Sequence, residues 1–592
     1  MTSRDRWPLS VVLTLAPLWF AAILYRGLWT PDEPREADIA WRMSIQSDRT
    51  LPQLAEQPFL EKPPLTYWAS GASLRLFGDT PAAARTPNLL YALVTSLGVG
   101  TLGFAMAGAD VALLAALSVG TLLIALRVTV WLAPDAGLLA GCTISLLGAY
   151  LGYCAGESRR KLLGYTLMHV GAAMGFMAKS APGWLVPALA LFTLIAWERR
   201  WSELRRWELY AGFILQLAII GPWLYAVTRT AHGEDALRAL FWHNLVGRFT
   251  KIAAPAALDY TTGHRNSPGK YLRELPTYLL PWTLLAVAAA TRAWSRVRAN
   301  DRSGTAWRFA VASILPFLTL LSVAATARDV YAGPIMPGFA LLIGLWAGDS
   351  SARSHLDRLA VRGTWVLVVL LAGALALTLC LFAAGASGPV RVVDVVTAVA
   401  IVVAIVILLR LAVLQGRRGQ LPAAIASTCV AHVAALVLFA LAAFPTIDRW
   451  QNLGGLALHI YVDAHNHELA LLDPDETTIA MLDHGLATRF TILTTGTSDA
   501  SVAVRSWLQT GGASPRILVK LPGSGRGELS SMLDAGRGHR SPDDDGIAAM
   551  LVNERAAAIV GRYELPHGRR YALLGPAASD NGARAYALAH GG

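Results

Sequence analysis

Charge and cysteine are what this chain has little of. Of its 592 residues only 15% are Asp, Glu, Lys or Arg, and four are cysteine. Cys142, Cys154, Cys380 and Cys429 lie in or beside apolar runs and form no CxxC pair. They read as small hydrophobes, not as a disulfide frame or a metal site. Nucleotide and zinc-protease signatures are missing as well: no Walker A loop, no GxGxxG after a strand, no HExxH helix. Gly523-Ser524-Gly525-Arg526-Gly527 reads as a loop, and Asp463–His467 as polar surface. The net charge is +11, yet no recognition helix and no basic run interleaved with aromatics is present, which excludes nucleic acid as a partner.

What is abundant is apolar length. Hydrophobic residues make up 54% of the chain and mean hydropathy is +0.44, which predicts a polytopic α-helical membrane protein. About thirteen segments are long enough to span: 9–28, 83–107, 109–130, 136–153, 162–178, 182–197, 208–228, 276–295, 308–326, 331–348, 364–387, 391–413 and 423–444. Arg4 and Arg6 precede the first, and no small-x-small cleavage site follows it, so it reads as a retained span. With a cytoplasmic N-terminus, the inner loops hold Arg159-Arg160-Lys161, Arg199-Arg200 with Arg205-Arg206, Arg292 to Arg308, Arg353 to Arg362, and Arg417-Arg418. Every one is basic, as the positive-inside bias demands.

The opposite face collects 29–82, Asp135, Lys179, 229–275, Arg328 to Tyr331 and everything after about 447. Interfacial helices are expected there within 30–80 (Glu33–Ser47, Tyr67–Phe77) and within 230–275 (Glu234–Leu245). After Trp450 the spans cease. Short apolar runs at Thr478–Leu482, Phe490–Leu493, Arg516–Val519, Ala557–Val560 and Tyr571–Leu574 alternate with turns, with a helical pattern at Ala500–Gln509. The reading is a transmembrane domain over 1–447 and a small soluble α/β domain over 448–592, outside the cytoplasm.

Five polar groups on that outer face could carry chemistry. Asp32-Glu33 follows Pro31; a carboxylate there can take a proton or hold a hydroxyl, or Asp32 can simply cap a helix beginning at Pro34. Glu61-Lys62-Pro63-Pro64 offers a lysine on a stiffened backbone, suited to a phosphate or to a solvated loop. Asp135 opens a span, as an acid in a cavity or as a cap. His243 and Arg248 could serve a metal and a phosphate, but two ligands alone make no metal site. Tyr331 heads a span, where tyrosine is usually a belt residue. With no nucleotide signature, a transferase here would use a lipid-linked donor.

The order Pro31-Asp32-Glu33, then Glu61-Lys62-Pro63-Pro64-Leu65-x-Tyr67-Trp68, then Leu76-Phe77-Gly78 and Ala84-Arg85 resembles the aminoarabinose transferases of lipid A modification. More broadly it is similar to the bacterial glycosyltransferases related to protein O-mannosyltransferases, the GT-C architecture. The resemblance covers roughly 9–450. It implies inverting transfer of a sugar from an undecaprenyl-phosphate-linked donor to a lipid or glycan acceptor, at the periplasmic side of the inner membrane. It implies Asp32 as the catalytic acid of the PDE motif and Asp135 as a second acid near the cavity. Lys62, Arg248 and Tyr331 would contact the polyprenyl phosphate, and Glu61 and His243 can hold a divalent metal (Zn, Mg or Mn). The sequence departs from the family pattern at Glu36, where Tyr is common, at Ser180, where Gly follows the lysine, and at Ala327, often Lys. Two other readings stay open: transfer to protein or another envelope glycan, and a lipid-linked sugar flippase. A transporter would place ionisable groups in the middle of spans, whereas these gather at one face.

Overall fold

A backbone crossing hydrocarbon must satisfy its own polar groups, so apolar runs of this length become helices. The computed structural model describes residues 6–246, 266–299, 301–386, 392–484, 486, 488–495, 500–510, 514–521, 548, 557–565 and 568–576. The chain divides into two compact units. One comprises Met1–Arg26, Ile39–Leu377 and Val396–Leu441; the other comprises Gly27–Asp38, Thr378–Val395 and Ala442–Gly592.

In chain order the first unit holds α1 (Trp7–Trp19, continued by a π-helical turn to Leu24), most of α2 (Glu33–Ile45), the small hairpin β1 (Gln53–Leu54) and β2 (Gln57–Pro58), and α3 (Leu65–Phe77). Next come α4 (Pro81–Ala107), α5 (Ala109–Thr121), α6 (Leu123–Val130), α7 (Asp135–Cys154), α8 (Ser158–Lys179), α9 (Pro182–Trp197), α10 (Glu208–Ala211) and α11 (Phe213–Thr228). Then follow α12 (Gly233–Leu237), the π-helix Arg238–Val246, α13 (Lys270–Tyr278), α14 (Thr283–Arg296), α15 (Arg302–Ala312), α16 (Leu315–Val323), the 3-10 helix Asp329–Ile335, and α17 (Met336–Gly348). The long helices α18 (His355–Ala386), α19 (Val392–Arg417) and α20 (Leu421–Trp450) run through both units.

Each of the thirteen expected segments falls on helix. Among the described residues nine helices are long and apolar enough to cross a membrane, or ten if α5 and α6, bent by 67°, form one span. The difference from thirteen has a composition cause. The apolar helix α9 is short, α8 carries Lys161, His169 and three glycines, and Pro276 and Pro281 break 276–295 into α13 and α14.

The tightest pairing joins α7 to α8, antiparallel and linked by only Ala155–Glu157. Glycines form the seam. A Cβ on Gly141 would stand 2.5 Å from the Gly175 nitrogen, on Gly148 2.2 Å from the Met168 nitrogen, and on Gly164 2.3 Å from the Gly152 nitrogen. Without a hydrophobic effect between helices in lipid, such close backbone approach supplies the attraction. At the N-terminal end of α8 the buried Lys161 ammonium donates to Glu203 (2.6 Å) and to the Gly152 carbonyl (3.0 Å), so no lone charge is left in the interior.

In the second unit α21 (Leu453–Ala464), β3 (Glu468–Leu472), α22 (Glu476–Asp483), β4 (Phe490–Leu493), α23 (Ala500–Thr510), β5 (Pro515–Leu521), β6 (Ala557–Glu564) and β7 (Arg570–Pro576) build a five-stranded sheet in the order β4-β3-β5-β7-β6. The β4, β3 and β5 strands are parallel, while β7 is antiparallel to β5 and β6. Alternation sets the two faces. Leu469, Leu471, Leu518 and Leu573 pack under α21 and α22, and Ala470, Ile517, Val519 and Leu574 pack under α23. The apolar run at 478–482 is helical rather than extended, because Asp475 caps it by accepting from the Thr478 amide (2.8 Å). The His-rich stretch is structural here: Tyr563 donates to Asp463 (2.7 Å), and His467 bonds Ser514 (2.8 Å).

Helix α2 lies where the first interfacial helix is expected; its residues 33–40 are buried, charged groups included, while Ile45 at its end is exposed.

Candidate active site

The Glu61-Lys62-Pro63-Pro64 stretch is positioned from both sides. Before it, β1 and β2 pair through the two-residue link Ala55-Glu56, whose φ angles of 46° and 68° lie in the left-handed region that such hairpins use. After it, Pro64 starts α3. Leu60 and Leu65, on its two flanks, pack with Trp68 against Phe176, Met177 and Trp223 of α8 and α11. Trp68 and Trp223 spend their indole N–H groups on the carbonyls of Arg49 (2.8 Å) and Thr50 (3.0 Å), which ties down the preceding loop. The Lys62 ammonium stands 4.0 Å from Glu61 and 5.3 Å from the centre of the Phe59 ring.

Asp135 opens α7 and Lys179 closes α8, so the antiparallel seam brings them together as an ion pair, both largely buried. The same ammonium lies 5.0 Å above the Tyr331 ring. Thr66, four residues beyond Lys62, abuts Gly137 and shares that contact with Ala178. Glu61, Lys62, Asp135 and Tyr331 are thus gathered at one end of the α7–α8 pair.

The π-helix 238–246 joins the same cluster, with Leu240 in its core and the Phe241 ring 6.1 Å from Phe176. His243 lies on this turn, but its side chain and all of Arg248 lie outside the described residues. Among the described residues no three His, Cys, Asp or Glu side chains gather; Glu61 lies 4.0 Å from the Lys62 ammonium, and the side chain of His243, the other expected metal ligand, lies outside those residues.

Residues that the sequence did not single out hold the 3-10 helix that carries Tyr331. Lys270 pairs with Asp329 (3.2 Å), the Tyr278 hydroxyl donates to Asp329 (3.2 Å) and the Tyr271 hydroxyl to the Arg328 carbonyl (3.2 Å). Their signal was present: an acid and a lysine at the ends of apolar runs need partners. Arg85 proves structural. It is fully buried and donates to the Ile23 (2.7 Å) and Arg26 (3.1 Å) carbonyls that α1 and its π-turn leave open.

Asp32 belongs to the second unit. Helix α2 begins at Glu33, one residue before the expected start, and the Asp32 carbonyl accepts from the Glu36 amide (3.1 Å). The side chain of Asp32 is 3.4 Å from Arg35, which holds Glu36 at 2.5 Å and is also paired with Glu476.

The helices of the first unit and the five-stranded sheet of the second together form a fold seen in a solved membrane protein. The particular form is that of ArnT from Cupriavidus metallidurans: its crystal structure bound to undecaprenyl phosphate matches with a TM-score of 0.70 at 19% identity, over 97% of this chain and 98% of that one, and the apo form with 0.72 at 18%. Residues 61–225 match the model of the dolichyl-phosphate-mannose-protein mannosyltransferases. The chain is similar to the undecaprenyl phosphate-alpha-4-amino-4-deoxy-L-arabinose arabinosyl transferase of Pseudomonas paraeruginosa, at 28% identity over 62% of this chain and 64% of that one. The enzyme of that name from Serratia proteamaculans is 26% identical over 59% of this chain and 60% of its own. The chain therefore spans less than two thirds of the length of these curated relatives.

Proposed function

We propose that the chain is an inverting glycosyltransferase that moves a sugar from undecaprenyl phosphate to a lipid A-type acceptor, at the periplasmic face of the bacterial inner membrane. The observation that carries this reading is the gathering of Glu61, Lys62, Asp135, Lys179 and Tyr331 at one end of the glycine seam. Two lysines at the end of an apolar bundle, each beside one carboxylate, offer ammonium donors to a phosphate carried on a long isoprenoid tail. The fold shared with ArnT supports the same donor class.

In the proposed reaction an acceptor oxygen attacks the anomeric carbon. The bond from that carbon to the phosphate oxygen breaks, and undecaprenyl phosphate leaves with the electron pair. Lys62, Arg248 and Tyr331 bind the phosphate and stabilise the charge that grows on it. Asp135 fixes Lys179, which in turn supports the Tyr331 ring. Asp32 orients the acceptor and takes its proton if it is a hydroxyl; a phosphate acceptor is already anionic and needs only orientation.

The test is transfer in detergent from undecaprenyl-phosphate-linked aminoarabinose to lipid A, followed by release of undecaprenyl phosphate. Asp32→Asn should lower kcat about 100-fold or more with the protein folded, and Lys62→Met should raise donor KM. Near-normal turnover in Asp32→Asn overturns its assignment, and release of no undecaprenyl phosphate by the wild type overturns the reaction.

A further inference from the structure

Residues 442–592 have no role in the chemistry above, yet they reach the loop of their own unit that bears Asp32. Within this one unit the Asp448 carboxylate accepts from the Gly27 amide (2.9 Å) and the Trp29 indole (2.7 Å). The Gln451 side-chain oxygen accepts from the Thr30 amide (3.0 Å) and hydroxyl (2.7 Å). At the start of α22 the Thr477 hydroxyl donates to the Pro31 carbonyl (3.0 Å), and Glu476 pairs with Arg35. Residues more than 400 positions away in sequence thus bind four residues ahead of Asp32, Gly27 and Trp29 to Pro31, and Arg35 three positions after it.

The charge arrangement is more informative than the count of bonds. Arg35 is buried and faces three carboxylates. Its contacts with Glu36 and Glu476 are tight, whereas that with Asp32 is 3.4 Å and loose. A guanidinium has a fixed fork of donors, so the acids that hold it closest decide where it points. Glu476 draws Nη1 of Arg35, and Glu36 draws Nη2, the nitrogen that also faces Asp32.

We propose that the α/β unit is a positioning part of the transferase: Glu476 and Thr477 hold the Asp32 loop and keep Arg35 from closing on the Asp32 carboxylate. Glu476 is a positioning residue that acts through Arg35, and without it the guanidinium swings into a full ion pair with Asp32. The proposal rests on the reading of Asp32 as the acceptor-side acid.

Two measurements on the full chain separate the proposal from that reading. The first is amide hydrogen exchange over 27–38, which needs no activity. Glu476→Gln and, separately, Thr477→Val should speed exchange there at least tenfold and leave α7 and α8 unchanged. Unchanged exchange over 27–38 in both variants overturns the proposal, whatever Asp32 does.

The second is the transfer assay with undecaprenyl-phosphate-linked aminoarabinose and lipid A. Glu476→Gln should lower kcat about tenfold with donor KM within twofold. In an Arg35→Gln background the same change should cost less than twofold, because the competing guanidinium is gone. Equal losses in both backgrounds overturn the route through Arg35. Near-normal turnover in Asp32→Asn, with faster exchange in Glu476→Gln, overturns the reading of Asp32 while leaving the hold on the loop standing.

Discussion

Ser180 follows the lysine that pairs with Asp135, and it does so at φ 64° and ψ −141°. That region is essentially reserved for glycine, and a side chain there costs about 1–3 kcal/mol. Ser180→Gly should therefore raise the thermal unfolding midpoint in detergent and leave donor KM unchanged; a lower midpoint would show that the hydroxyl is needed more than the strain is felt. At this scale the sequence was readable where a charge sat against an apolar run. Asp135 and Tyr331 stand at the heads of apolar spans and Lys62 beside two prolines, but their expected roles came from the family resemblance and not from those places. The sequence places Lys179 on the same face as Asp135 but does not pair them, since they lie 44 positions apart and only the antiparallel seam brings the two together. The pairing of Arg35 with Glu476, across 441 positions, left no trace in local pattern.

Helices were legible because hydropathy marks them directly, and β strands of the second unit less so because five-residue apolar runs do not distinguish strand from helix. Asp475 decided one such case by capping α22, and it also makes that element sensitive to acid. Burial alone would raise its carboxyl. Arg569 at 3.1 Å, Lys520 at 2.6 Å and Thr478 overcome that and hold it well below the usual carboxylate range. A folded-state value below the unfolded value of about 3.9 gives stability that is present above that pH and lost as pH falls through the folded value. Amide exchange of β5 and β7 in the full chain should accelerate below about pH 4, and Asp475→Asn should flatten that dependence. The seam between α7 and α8 gives an element-scale prediction of opposite kind, independent of pH. Gly148→Val places atoms where the Met168 nitrogen already stands, 2.2 Å from the first added carbon. It should destabilise by about 1–3 kcal/mol or more. Because the seam aligns Asp135 with Lys179, it should also weaken donor binding. Unfolding midpoint and donor KM measured together check both.

Across the whole molecule, charge patterning carries the orientation and the fold carries the class. Basic loops alternate with loops that carry Asp32, Asp135 and the α/β unit. An alkaline phosphatase reporter fused after Trp450 should be active, and one fused after Arg200 inactive, if the N-terminus is cytoplasmic. Mass spectrometry of lipid A from a strain lacking the chain should show loss of one defined sugar, and restoration only by a copy that retains Asp32. The architecture was legible as a succession of apolar helices and an α/β tail, though not the number of spans. The division into units was not, because 27–38 and 378–395 are grouped with 442–592 only by contacts made in three dimensions.

The glycine seam also distributes mutational tolerance unevenly. Along α19 the exposed valines, Val392, Val396, Val399 and Val403 among them, meet no close partner requirement beyond being apolar, and Leu or Ile should serve as well. Along α7 and α8 one added methyl at Gly141, Gly148 or Gly164 collides with backbone. A saturation library selected for function should therefore drift freely over α19 and hardly at all over α7 and α8, helices of one chain evolving at different speeds.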